Sequence, residues 1–267
     1  MAAAESAERW THLGGPLRGA LLSILLACVI GCSRGTGDED STAMADAASD
    51  GGAAPALPSS LDHLVLGVHD LQAGIDEFER LTGVRPEYGG AHPGRGTRNA
   101  LVSLGGERYL EILAPNANDS AGARVASEFA SYTRLTPIDW AVQSEDLDAL
   151  AESLAAEDVT TGSIRPGARA RANGVRLEWR TLSVLDPAHR LIPFFIQWGA
   201  SIPHPATESP SGCTLVALRF EDPEPDELTR IFGRLGIAVA MVLGPASRMH
   251  LGLACPKGNV EIPVQLE

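Results

Sequence analysis

Leu61-Asp62-His63-Leu64-Val65-Leu66-Gly67-Val68 decides how the rest of this chain is read. It is an almost continuous apolar run, as in a buried strand, yet it carries an imidazole. Leu71 to Leu81 follows with helical spacing, Ile75, Phe78 and Leu81 sharing one face. Next come the Gly/His-rich segment Gly89 to Asn99 and two strand patterns, Arg98–Leu104 and Arg108–Leu113, joined by Gly105-Gly106. The second of these, Tyr109-Leu110-Glu111-Ile112-Leu113, again buries one ionisable group. Strand interiors seldom keep such a group unless it is paired, metal-bound or used in chemistry. Period-two alternation places His63 with Val65 and Gly67 on one face, and Glu111 with Tyr109 and Leu113 on another. If those faces meet, His63 and Glu111 converge.

The pattern then recurs. Asp139 to Gln143 reads as a strand, Leu147 to Leu154 as a helix, and Arg176–Ser183 and Ile192–Trp198 as strands. Setting Asp70-Leu71 over Asp146-Leu147 places His63 over Asp139; at the far end, Leu110-Glu111-Ile112 corresponds to Ile196-Gln197-Trp198. From Thr214 to Ile262 a truncated copy reads as strand, helix and two strands. The expected fold is α+β, with paired βαβββ units forming a curved, partly closed mixed sheet, helices outside, and a truncated third βαββ unit. The units are expected at 61–135, 136–205 and 206–267.

The first sixty residues belong to none of these units. Leu21 to Ile30 is apolar but too short to span a bilayer comfortably, and it suits a signal peptide. It runs into Val29-Ile30-Gly31-Cys32-Ser33, which resembles the lipobox of bacterial lipoproteins. That resemblance implies a signal peptide over 1–32, lipidation of Cys32, and export to the cell envelope with a membrane anchor. Residues 33–60, rich in Gly, Ala, Ser, Asp and Pro, bury too little to offset chain entropy and read as a disordered tether. The formal net charge is -13 and Lys257 is the sole lysine, so a nucleic-acid footprint is excluded. Cys213 and Cys255 remain as either a disulfide pair or two buried thiols.

Leu-Asp-His-Leu-Val at 61–65, His-Pro-Gly at 92–94, Gly-Thr-Arg-Asn-Ala at 96–100 and Tyr-Leu-Glu-Ile at 109–112 resemble the glyoxalase-like branch of the vicinal oxygen chelate superfamily. The resemblance implies a divalent metal (Zn, Fe, Mn or Ni) in the sheet's cavity, with ligands at His63, Glu111, Asp139 and Gln197. It implies lyase or isomerase chemistry on a small oxygen-rich molecule, with His92 and Glu111 in catalytic roles. Arg95, Thr97 and Asn99 on the Gly-rich connection, and Trp198 at the rim, are the expected substrate contacts. Gln197 is a weaker ligand than the Glu or His of a strong chelator. A non-catalytic, sequestering module is therefore the second reading.

Overall fold

The computed structural model describes residues 57–170, 174, 176–186, 189–200 and 203–263. The expected signal peptide, Cys32 and most of the tether lie outside the described residues.

Unit one comprises β1 (Leu61–Gly67), α1 (Leu71–Thr82), β2 (Glu87–His92), β3 (Thr97–Ser103) and β4 (Tyr109–Pro115). A connecting helix, α2 (Gly122–Phe129), leads to unit two. That unit comprises β5 (Thr136–Gln143), α3 (Leu147–Ala156), β6 (Arg165–Ala170), β7 (Arg176–Ser183) and β8 (Phe194–Trp198). The two aligned aspartates do the same work in both. Asp70 accepts from the Ala73 amide, and Asp146 from those of Asp148 and Ala149. Each such cap stabilises its helix by about 1 kcal/mol. Gly83, at φ 82°, ends α1 in the left-handed conformation that glycine adopts without strain.

All eight strands join one sheet in the order β2-β3-β4-β1-β5-β8-β7-β6. β1 runs parallel to β4 and β5 parallel to β8, while β1 and β5 meet antiparallel. Each unit thus fans out in the same order from a central β1–β5 seam. The sheet curls until its edges approach. Arg169 of β6 donates to the Gly89 carbonyl of β2, and a Cβ on Gly90 would lie 3.1 Å from the Ala170 carbonyl oxygen.

The convex face buries Leu64, Leu66, Phe78, Leu147 and Trp140 in the main core. Burying each such side chain contributes roughly 1.5–3 kcal/mol. The concave face holds a smaller cluster of Val65, Leu113, Val125 and Phe129, supplied partly by α2. A single helical turn, α4 (Pro205–Glu208), brings Ala206 against Leu101 and Tyr109 on the same side.

The last segment comprises β9 (Thr214–Asp222), α5 (Pro225–Arg234), β10 (Ala240–Leu243), β11 (Arg248–Cys255) and β12 (Gly258–Ile262). It forms its own sheet, ordered β10-β9-β11-β12. It has one strand more than expected, and its parallel pair is β9–β10, joined across α5. Phe220 and Phe232 pack against Trp140 at centroid distances of 5.3 and 5.9 Å, which docks this sheet on the convex core. A disulfide joins Cys213 to Cys255, and Lys257 Nζ donates to the Arg80 carbonyl near the end of α1.

Strands β2 and β6 lie where the sequence suggests only connections. Glu87-Tyr-Gly-Gly-Ala-His and Arg165-Pro-Gly-Ala-Arg-Ala have no apolar alternation, and Gly and Pro disfavour strands. Both are edges with one partner each, where that composition is tolerated.

Candidate functional site

β1 is bulged. Leu61 opposes Val142 while His63 opposes Ala141, which leaves Asp62 extra on its strand. The bulge shifts the alternation, so Leu61 and Leu64 both enter the convex core. Asp62 and His63 both turn inward. Asp62, wholly buried, accepts from three rings: His63 Nδ1 at 2.6 Å, Trp198 Nε1 at 2.9 Å and His204 Nε2 at 3.1 Å. Burial by itself would raise the Asp62 pKa; the hydrogen bonds from His204 and His63 outweigh it and bring it down to about 2. Asp62 is therefore ionised at neutral pH and holds the proton of His63 on Nδ1.

His63 stacks on Tyr109, ring centroids 4.5 Å apart, and its Nε2 lies 3.8 Å from Glu111 Oε2. Burial first, then the charges of Asp62 and Glu111, raise the Tyr109 pKa, so this phenol keeps its proton. Glu111 Oε1 accepts from Asn99 Nδ2 at 2.6 Å and lies 3.8 Å from His92 Nε2. One imidazole flanks each oxygen of a nearly buried carboxylate. The Asn99 amide also approaches His92 Nε2, at 3.3 Å, and His92 Nδ1 lies 2.8 Å from Thr97 Oγ1. An amide turned the other way would set its oxygen against Glu111, so the network fixes the orientation.

The structure brings His63, Glu111, Asn99, His92 and Thr97 together, but with altered roles. Asn99 and Thr97, expected as substrate contacts, are taken up in holding Glu111 and His92. His92, expected in a catalytic role, has its pKa pulled down to about 4, chiefly by burial. It is a neutral imidazole at physiological pH. Arg95 stays exposed on the β2–β3 turn. Trp198, partly exposed beside a groove, reaches inward with its indole N–H to Asp62.

Gln197 turns the other way. It shares its strand face with Phe195 of the convex core. Its amide nitrogen donates to the Glu145 carbonyl, and its oxygen accepts from Leu147 N and Arg180 Nη1. Asp139 opposes Val65 on the inner face, and its Oδ1 accepts from the Trp140 amide. Among the described residues, no three His, Cys, Asp or Glu side chains are grouped to hold a metal ion. A catalytic ion is held by about three protein ligands. His63 Nε2 and His92 Nε2 flank the two Glu111 oxygens at 3.8 Å without being drawn together into such a set.

Neither Asp62, inside an apolar run, nor Arg169, in a strand without apolar alternation, is marked by any local pattern. A groove of about 620 Å³ beside Trp179 and Trp198 is lined by Pro166, Ala168, Glu178, Arg180 and Gln197. Strand register puts those five on the outer face, while Trp179 and Trp198, which also line it, face inward, so the groove meets the inward-facing network at Trp198, the partner of Asp62.

A solved structure shares this architecture. A hypothetical protein from Staphylococcus aureus aligns over 70% of this chain and 87% of its own, with TM-score 0.56 and 14% identity. A Streptomyces coelicolor methylmalonyl-CoA epimerase, in complex with 2-nitronate-propionyl-CoA, aligns over 54% of this chain and 99% of its own. Its TM-score is 0.41 at 21% identity. The corresponding Mycobacterium tuberculosis epimerase gives 0.39 at 20%, over 54% of this chain and 91% of its own. No curated protein matches. The family model described as a glyoxalase-like domain matches residues 61–236, both βαβββ units and the start of the third segment. By that match, the chain belongs to the glyoxalase-like domain family.

Proposed function

We propose that the concave site is an enzyme centre that moves a proton on a small oxygen-rich molecule, as in an isomerase or lyase. The observation that carries this is Glu111, a nearly buried carboxylate with an imidazole nitrogen 3.8 Å from each oxygen. Glu111 takes a proton from a carbon beside a carbonyl group, and the electron pair left behind moves onto the carbonyl oxygen as an enolate. Return of the proton to either face, or loss of a neighbouring leaving group, completes isomerisation or elimination. Asn99 aims the carboxylate, and the Asp62–His63 pair holds the facing imidazole in one tautomer. Tyr109, kept protonated, supplies a hydroxyl donor on the same face.

The test is solvent exchange. The purified protein is incubated in D2O with small hydroxy acids, keto acids and thioesters, and deuterium at the carbon beside the carbonyl is followed by NMR. Exchange is expected with wild type and should fall at least about 100-fold in Glu111→Gln, whose side-chain oxygen still accepts from Asn99. Binding without exchange would establish the sequestering module instead. The hydrogen bonds that tie Glu111, Asn99, His92 and Thr97 to one another favour that second reading, because a site held in this way binds without needing to turn over. Elemental analysis checks the ligand count. Stoichiometric Zn, Fe, Mn or Ni that disappears in His63→Ala would place an ion here after all.

Anchoring through Cys32 stands as a further proposal, resting on the lipobox pattern and supported by the Cys213–Cys255 disulfide, which suits an oxidising compartment. Cys32→Ser should move the protein from the membrane to the soluble fraction; unchanged membrane association would sink it.

A further inference from the structure

Arg169 is 6% exposed, on the inner face of β6 beside Gly167 and Trp179. A buried guanidinium carries five N–H donors and needs a counter-charge. Here the Gly89 carbonyl is its hydrogen-bond acceptor, and no carboxylate of the described residues lies within ion-pair distance. The fold makes room for this arrangement. Gly90, at φ 138°, has no side chain, and a Cβ there would come within 3.5 Å of Arg169 Cδ. Gly89 in turn adjoins Asn99, which holds Glu111. A buried cation with no carboxylate partner among the described residues thus sits one residue away from the network around Glu111.

We propose that Arg169 is an anion-binding residue of the concave site, and that the molecule bound there carries a carboxylate. The proposal rests on the functional reading above and narrows its substrate class. The free edge of the guanidinium grips the carboxylate in a two-point contact, leaving the adjacent carbon directed at Glu111. Burial lowers the Arg169 pKa, and the nearby Tyr109 and Glu111 oppose that shift. A ligand carboxylate would raise it further and offset the cost of burying the charge. In a chain of net charge -13, an inward-facing arginine also gives an anion a local reason to enter.

The experiment is a calorimetric titration of the intact protein with mono- and dicarboxylates of two to six carbons, their neutral amides, and inorganic phosphate. At least one carboxylate should bind saturably, its amide at least about tenfold more weakly, and phosphate no better than the amide. Arg169→Gln should lower the affinity about tenfold or more, with Arg169→Lys intermediate because it keeps the charge and loses the fork. Glu111→Gln should bind as well as wild type or better, since it removes a negative charge from the site. If Arg169→Gln fails to fold, the carboxylate-against-amide comparison on wild type decides alone. Equal binding of acid and amide, binding of phosphate alone, binding indifferent to Arg169→Gln, or no binding by any probe overturns the assignment. Arg169-dependent binding without deuterium exchange would leave this assignment standing and remove only the proton-transfer reading.

Discussion

Asp62 and His63 are sequence neighbours whose side chains bond to each other at 2.6 Å, a contact that a regular strand forbids because successive residues face opposite ways. The bulge in β1 makes it achievable, and it recruits Trp198 and His204 from unit two and the segment after it.

Asp62→Ala leaves two imidazoles and an indole N–H without their shared acceptor. The expected loss is about 3 kcal/mol, read as a lower urea midpoint with the slope unchanged. The charge has its own signature. Because the folded pKa, about 2, lies below the ordinary 3.8, the unfolded chain binds more protons between those values. Asp62 therefore contributes about 2 kcal/mol above pH 4, lost as pH falls toward 2. In Asp62→Asn that part of the stability profile should be flat.

His92 titrates in a higher window with the same sign. Its folded pKa of about 4 lies below the ordinary 6.5, so acid stabilises the unfolded chain relative to the folded one. Wild type should lose roughly 3 kcal/mol between pH 6.5 and 4, and His92→Gln should lose markedly less. Denaturant midpoints taken at half-unit pH steps separate this window from that of Asp62. An unchanged slope in His92→Gln would mean the imidazole is charged in the folded protein.

Much of this arrangement is legible in the residues, and the misses have physical causes. The Asp70 and Asp146 caps, the apolar run of β1 and the span of β7 follow from local pattern, because capping and apolar periodicity act within a few residues. The convergence of His63 and Glu111 follows from alternation. The orientation of Gln197 does not: it lies on the helix side of β8, whose unbroken alternation turns Phe194 and Trp198 inward, so the far-end match is one residue out of step with the strand's faces. Edge strands β2 and β6 hide behind their glycines and arginines, and with β6 hidden, Arg169 is invisible. The final segment's fourth strand, Gly258–Ile262, is held by pairing with β11 and is too weakly apolar to announce itself.

Gly89 matters for what it lacks. An added Cβ would fall 2.5 Å from Asn99 Oδ1 and 3.0 Å from Leu101 Cγ, both on β3. Gly89→Ala should push the amide off Glu111 and destabilise the protein by about 1–3 kcal/mol. Deuterium exchange in Gly89→Ala should drop while Arg169-dependent anion binding changes less.

The Cys213–Cys255 disulfide closes a loop with a sequence separation of 42, which chain-entropy reasoning values at about 4 kcal/mol. Reduction, or Cys213→Ser with Cys255→Ser, should lower the thermal midpoint and loosen the final sheet from Trp140. Hydrogen exchange in β9 and β11 should report it. Unaltered protection there would mean the Phe220 and Phe232 contacts suffice.

The central seam also divides labour. Unit one contributes Asp62, His63, Asn99 and Glu111, the groups to which proton transfer is proposed, while unit two contributes Arg169, the proposed anion contact, and Trp198, which donates to Asp62. On the proposed function, halves that fold alike divide into a chemical half and a selective half. Each is tunable without rewriting the other: changes on β6 to β8 should alter which molecule is accepted, and changes on β1, β3 and β4 how fast it is processed.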